Sequence, residues 1–150
     1  MINSLEIKPK EGFGDIKFGE ILDNVVMLLG EPQELDSLEE DEELSMLILH
    51  YWDLGFSIIF EGVSKQVAAG FETDHPDATM FGEKIIGASE KHVVNMMKEK
   101  GFSEFETDME DGDKRLTYDE LLLDFYFRDG KVIYVNWGAL INEEGEVEEF

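Results

Sequence analysis

Histidine is the side chain best suited to acid–base chemistry near neutral pH, and this chain has three of them in different sequence contexts. His92 lies in a helical pattern and His75 in a turn-forming stretch before Pro76, and both contexts favour a structural role. His50 begins a strand-like segment and falls on its polar side. General acid–base catalysis there requires an Asp or Glu close to the imidazole, so an enzyme with a site near His50 is one alternative.

Other common site chemistries lack their sequence signals. The chain has no cysteine, which excludes a thiolate zinc site, a cysteine nucleophile and a disulfide scaffold. It contains neither Gly-x-Ser-x-Gly nor Gly-Lys-Ser/Thr, the signals for a nucleophilic serine and a phosphate-binding loop. Residues 108–119 resemble an EF-hand loop, but Asp113 replaces its glycine and Asp119 its bidentate glutamate. We therefore expect no catalytic residue, no dedicated metal site and no cofactor.

Negative charge is the strongest compositional signal. The 150 residues include 36 Asp and Glu against 12 Lys and Arg, a net charge of −24. Nucleic acids and anionic membrane surfaces are excluded as partners, because both attract proteins through Lys and Arg. A basic protein is attracted instead, and electrostatic steering raises its encounter rate by about 10- to 10³-fold. The acidic residues cluster at 39–43, 104–113 and 143–149.

The elements that must position these residues occur twice in the same order. Residues 20–30 and 90–101 have helical apolar spacing, and each segment ends at a glycine. An acidic loop follows each helix. Strand-like segments come next at 50–60 and 117–127, an offset of 67 positions, and each half then adds another apolar strand. This order predicts an internal duplication.

These patterns predict a single domain over residues 1–150 of the α+β class. Two similar helix-plus-antiparallel-strand repeats, at about 12–72 and 81–140, are expected to form one sheet with helices on one face. The acidic tail at 143–150 is expected to be dispensable for folding.

Alternation along the strands separates two faces of the predicted sheet. The inner face should pack large apolar side chains against the helices: Leu54, Phe56, Ile58, Phe60, Leu121, Leu123, Phe125, Phe127, Ile133, Val135 and Trp137. The outer face should carry a mixture of aromatic, small polar and acidic side chains: His50, Trp52, Ser57, Ile59, Thr117, Asp119, Asp124, Tyr126, Tyr134 and Asn136. Because two short helices cover only one side of such a sheet, the outer face is expected to be open to solvent.

The order of motifs also resembles a known repeat. A helix, then Leu29-Gly30-Glu31-Pro32, an acidic loop, a strand bearing tyrosine and a strand ending in phenylalanine are similar to the repeat of BamE-like and β-lactamase-inhibitor-like proteins. The resemblance covers roughly residues 12–140. It implies a short helix packed on a small antiparallel sheet in each copy. It also implies that the open sheet face of the two copies binds a partner through aromatic and polar groups. It implies no residue-specific roles.

One expected function and two alternatives follow. The expected function is a non-enzymatic protein-binding module, an intracellular acidic immunity or inhibitor protein that neutralises a basic partner such as a nuclease toxin. Trp and Tyr would be its anchors, because these residues dominate interface energetics. The predicted contact residues are His50, Trp52, Ile59, Asp119, Asp124, Tyr126, Tyr134, Asn136, Glu40, Asp41 and Glu42. The alternatives are a housekeeping or assembly protein that self-associates through the open sheet face, and an enzyme with a site near His50.

The N-terminal sequence and the hydropathy bear on location. The first ten residues lack the basic-then-apolar run of a signal peptide. The chain also lacks the run of about 18 apolar residues that a membrane helix needs. We therefore expect a cytoplasmic protein, a monomer or weak homodimer, that contacts neither nucleic acid nor membrane.

Overall fold

The structure is a computed structural model that describes residues 4–39, 45–62, 65–142 and 144–148. Its two α-helices are α1 (Leu22–Leu29) and α2 (Glu90–Glu99), and short 3₁₀ turns lie at Trp52–Leu54 and Asp119–Leu121. The strands within the described ranges are β1 (Glu6–Lys8), β2 (Gly12–Phe13), β3 (Ile16–Lys17), β4 (Glu34–Glu39), β5 (Ser45–Tyr51), β6 (Phe56–Gly62), β7 (Val67–Thr73), β8 (Thr79–Met80), β9 (Glu83–Lys84), β10 (Glu106–Glu110), β11 (Asp113–Tyr118), β12 (Leu123–Arg128) and β13 (Lys131–Gly138).

The chain is mostly β and resembles a β-sandwich, so the predicted α+β class of two helix-plus-strand repeats is wrong. The strands form two sheets rather than one. The large sheet has eight antiparallel strands in the order β10-β11-β12-β13-β7-β6-β5-β4, and the small sheet has five in the order β3-β2-β1-β8-β9. The prediction missed the small sheet because its strands have two or three residues, too few to show alternation.

The small sheet packs against the apolar face of the large sheet. The ring of Phe13 lies 5.3 Å from the rings of both Phe56 and Trp137, edge-on to each. The Trp137 indole Nε1–H donates to the Gly12 carbonyl at 2.9 Å, a buried hydrogen bond between the sheets. A Cβ at Gly12 would lie 2.1 Å from the Ile16 carbonyl oxygen, so this close approach requires glycine.

The two helices contribute unequally to the core. Helix α2 begins after Ser89, whose hydroxyl accepts the His92 backbone N–H at 3.1 Å, and it buries Val93, Met96 and Met97. Helix α1 buries only Val25, and its Met27 is 85% exposed. Neither helix in the described part of the chain is long and apolar enough to cross a membrane.

The inner face of the large sheet departs from strict alternation at two places. The pairing of β12 with β13 shifts between Tyr126 and Phe127, so that Val132 opposite Phe127 is buried and Ile133 is only half-buried. Leu54 belongs to a 3₁₀ turn and is 36% exposed. The predicted inner positions of Ile133 and Leu54 are therefore wrong, because a bulge and a turn both interrupt the two-residue period.

Part of the acidic tail folds back on the domain. The Glu148 backbone N–H donates to the Leu140 carbonyl at 2.8 Å, and Ile141 and Val147 form an isolated β-bridge. The Asn142 side-chain oxygen accepts the backbone N–H groups of Glu144 and Glu146, each at 2.9 Å. Val147 packs against the core. Residues 144–148 thus contact the folded domain, and the expectation that the tail is dispensable for folding stays a prediction.

Candidate functional site

A row of polar side chains crosses all eight strands of the large sheet on the face opposite the core. Directly paired residues of neighbouring strands lie on the same face, and the register joins eight residues in one line: Glu34, His50, Ser57, Glu72, Asn136, Asp124, Thr117 and Glu106. We call the face that carries this line the outer face.

The next row along the strands is apolar and points into the core. It consists of Leu49, Ile58, Phe71, Trp137, Leu123 and Tyr118, all of which are buried. The row continues to Leu35 on the edge strand β4, which is 57% exposed. In the six strands that carry the buried residues, a step of one residue therefore changes from the core to the outer face. This alternation, repeated in register, makes the outer face polar across the sheet.

His50 is held by contacts on both ring nitrogens and on its ring face. Its Nδ1 lies 2.7 Å from the Ser57 hydroxyl oxygen. Its Nε2 lies 2.8 Å from an Asp36 carboxylate oxygen and 3.9 Å from a Glu34 carboxylate oxygen. The Trp52 indole stacks on the imidazole at 4.3 Å between ring centroids and 9° between planes. These four contacts fix the orientation of the imidazole.

A cavity of about 190 Å³ opens beside His50. Trp52 and Tyr134 give it aromatic walls, and Glu72 and Asp74 give it carboxylates. Burial raises the pKa of the Glu72 carboxyl above its ordinary value; nearby His50 lowers it and Asp74 raises it further. The cavity therefore combines an incompletely solvated carboxylate with aromatic surface, a combination suited to a cationic group.

Two stacked tyrosines continue the outer face beyond the cavity. The rings of Tyr126 and Tyr134 are 4.1 Å apart and 14° from parallel. Tyr126 donates its hydroxyl to Glu110 at 3.3 Å and accepts the Asn136 amide at 3.4 Å. Burial raises the pKa of both phenols, so they are neutral at physiological pH.

The far end of the outer face is acidic, and its arginines are already paired. The Arg115 guanidinium donates to Asp108 at 2.9 Å and to Glu110 at 2.6 Å. Arg128 donates to Asp113 at 2.9 Å. The Thr117 hydroxyl donates to Asp124 at 2.6 Å, and burial raises the pKa of the Asp124 carboxyl, a shift that this hydrogen bond opposes.

The predicted contact residues fall into three groups. Six lie on the strands of the outer face: His50, Ile59, Asp124, Tyr126, Tyr134 and Asn136. Trp52 and Asp119 lie in the 3₁₀ turns, Trp52 against His50 and Asp119 beside Thr117 and Asp124. Glu40, Asp41 and Glu42 lie outside the described residues.

Among the acidic residues of this face that were not predicted as contact residues, four lie around His50 and the cavity. Glu34 and Asp36 belong to β4, a segment that the prediction treated as an acidic loop. The alternation in Glu34-Leu35-Asp36 was the available signal for an edge strand. The sequence pattern predicts the apolar strand only over residues 67–71. In the structure Glu72 lies within β7 and Asp74 directly follows it.

Comparisons with known proteins identify no family. No family model and no curated protein matches the chain. A solved structure of an extracellular protein containing a SCP domain, from Bacillus anthracis, is similar with a TM-score of 0.46 and 13% identity. The match covers 79% of this chain and 42% of that protein, so the chain spans less than half of that protein's length. The resemblance to BamE-like and β-lactamase-inhibitor-like repeats stays a prediction.

Proposed function

We propose that this chain is a non-enzymatic binding module, an acidic immunity or inhibitor protein whose outer face binds a basic protein such as a nuclease toxin. The observation that supports this most strongly is the cavity beside His50, whose lining combines the Glu72 carboxylate with Trp52 and Tyr134. The cavity admits one lysine or arginine side chain of a partner. The acidic residues around it mimic the phosphates that a nuclease surface attracts.

The energetics of the cavity favour a basic side chain. Burial removes part of the water that would stabilise the Glu72 carboxylate, as its raised pKa indicates. An incoming ammonium or guanidinium group restores a counter-charge to it, and the faces of Trp52 and Tyr134 attract the same cation. Desolvated charge pairs next to aromatic anchors are typical of the residues that dominate interface energetics. The net charge of −24 accelerates the encounter.

The experiment is a binding titration against a panel of purified basic nuclease toxins at low and high salt. Wild type is compared with Glu72→Gln and with the control Glu99→Gln, which removes an exposed charge on α2. For the cognate toxin, we expect salt to weaken binding, Glu72→Gln to weaken it about 30-fold and Glu99→Gln to change it less than about twofold. Equal effects of the two variants, or no binding to any panel member, would contradict the proposal.

An enzyme with a site near His50 is a second candidate, and one observation favours it. Asp36, His50 and Ser57 form a continuous chain of contacts like that of hydrolases that use a serine nucleophile. However, Ser57 lies within β6, whose backbone N–H groups pair with β5 and β7 and so provide no oxyanion site. Covalent labelling of Ser57 by a fluorophosphonate, lost in His50→Gln, would establish this alternative; we expect no labelling.

A further inference from the structure

The outer face holds a second arrangement at the edge of the large sheet, next to the cavity. Glu34 and His50 are directly paired across β4 and β5, and Asp36 is two residues further along β4 on the same face. One atom from each side chain, the His50 Nε2 and a carboxylate oxygen of each acid, lies within 4.8 Å of the other two. From this convergence we propose that Glu34, Asp36 and His50 bind a divalent transition-metal ion of the Zn²⁺ class.

The distances suit an ion of this size. In a tetrahedral site with ligand bonds of about 2.0–2.1 Å, ligand atoms are about 3.4 Å apart. The His50 Nε2 lies 2.8 Å from its Asp36 partner and 3.9 Å from its Glu34 partner, on either side of that value. Shifts of about half an ångström in two exposed side chains bring both carboxylate oxygens to this distance from Nε2, and the two oxygens already lie within 4.8 Å of each other. The backbone pairing that sets the positions of the three residues need not change.

The remaining contacts of His50 are those expected of a metal ligand. With Nε2 on the ion, the imidazole proton is on Nδ1, which lies 2.7 Å from the Ser57 hydroxyl oxygen. A hydrogen bond from the second ring nitrogen is the usual way in which a protein orients a histidine ligand. The stacked Trp52 indole holds the ring plane. The metal site thus requires the imidazole proton on Nδ1, whereas the serine-nucleophile alternative requires it on Nε2, which faces Asp36.

The charge of the three side chains and the types of ligand atom indicate which ions the site should prefer. The two carboxylates carry two negative charges, which a divalent ion neutralises, while the imidazole binds the ion in its neutral form. Imidazole together with carboxylates suits Zn²⁺, Co²⁺ or Ni²⁺, whereas Ca²⁺ and Mg²⁺ prefer oxygen ligands only. Solvent has access, because the Glu34 and Asp36 side chains are 57% and 55% exposed. Three protein ligands leave a coordination position for water or an external group.

The test is titration of the metal-free, chelator-treated full chain with Zn²⁺ by calorimetry and with Co²⁺ by visible absorption. We expect one saturable site in the presence of excess Mg²⁺ and the absorption bands of four-coordinate Co²⁺. Ser57→Ala should weaken binding about 10-fold, and His50→Gln and Asp36→Asn should each weaken it by more than about 100-fold. No toxin is present, so the result does not depend on the proposed function.

His92→Gln is the matched control. His92 Nε2 lies 3.2 Å from a Glu83 carboxylate oxygen and so forms another exposed His–carboxylate pair, on α2. We expect this variant to bind like wild type. Absence of saturable binding by wild type would overturn the proposal. Equal binding by the His50→Gln and His92→Gln variants would also overturn it, because the acidic surface alone would then account for the bound metal. Circular dichroism of each variant separates loss of the site from loss of the fold, and Asp36→Asn changes only an exposed side chain.

Discussion

Tyr51 and Tyr118 are buried side chains in similar local positions that differ in one hydrogen bond. Each ends a strand just before a 3₁₀ turn. The Tyr51 hydroxyl donates to the Gly30 carbonyl at the end of α1 at 2.9 Å. The buried Tyr118 hydroxyl has no hydrogen-bond partner in the described part of the chain, and burial raises the pKa of that phenol to about 12. The two residues thus test what a buried hydroxyl contributes with and without a partner.

We predict opposite effects when each of these tyrosines is replaced by phenylalanine. Tyr51→Phe should lower the free energy of unfolding by about 1 kcal/mol, because the Gly30 carbonyl loses its donor. Tyr118→Phe should raise it by up to about 1 kcal/mol, because an unpaired polar group leaves the core. Urea denaturation at pH 7 measures both values. A loss of stability in Tyr118→Phe would show that its hydroxyl has a partner.

Glu72 should lower the stability of the fold while it contributes to the proposed binding site. The pKa of Glu72 is higher in the folded chain than in the unfolded chain, mainly because of burial. Its neutral form therefore stabilises the fold at pH values below the unfolded-state pKa, and this stabilisation is lost as the pH rises through the folded-state pKa. The ionised form of this half-buried carboxyl group is therefore unfavourable in the folded state. We predict that Glu72→Gln raises the melting temperature at pH 7 and that the increase shrinks at pH 5. Glu99→Gln, at an exposed position, should show no such dependence; a pH-independent difference for Glu72→Gln would contradict burial of the carboxylate as the cause.

At the scale of elements, the long strands were predictable and the short ones were not. Phe56, Ile58 and Phe60 are buried as alternation predicts, and so are Leu123 and Phe125. Two-residue strands such as β2 and β3 have no period to detect, and only tertiary packing against Trp137 brings Phe13 into the core. The site was predictable where it lies on long strands. Its acidic half on β4 was missed, because the alternation in Glu34-Leu35-Asp36 is only three residues long and lies next to the acidic cluster at 39–43.

The small sheet should contribute much of the stability through one aromatic ring. Phe13 is fully buried between the two sheets. We predict that Phe13→Ala lowers the free energy of unfolding by about 3–5 kcal/mol, through lost apolar burial and the cavity left behind. Met27→Ala on α1, at an 85% exposed position, is the control and should cost less than about 0.5 kcal/mol. Chemical denaturation of both variants provides the comparison, and similar costs would mean that the small sheet is not part of the core.

The whole molecule has an asymmetric distribution of charge. A cavity near the small sheet has three lysines and one acidic residue in its lining: Lys8, Lys10, Lys17 and Glu11. The lysines are three of the twelve basic residues of the chain. That sheet packs on the face opposite the acidic outer face. On the proposed function, this asymmetry directs a basic partner to the outer face in preference to the opposite side. Added salt should slow association more than dissociation, because it screens the long-range steering.

The two tryptophans of the chain provide the most direct test of binding at the outer face. Trp52 stacks on His50 at the cavity, whereas Trp137 is buried and bonded to Gly12. Their indole N–H signals can be followed by nuclear magnetic resonance during titration with the cognate toxin, or with an arginine-rich peptide as a probe, and assigned with Trp52→Phe. We predict that the Trp52 signal shifts at saturation and the Trp137 signal does not. Saturable binding that leaves the Trp52 signal unchanged would contradict binding at the outer face.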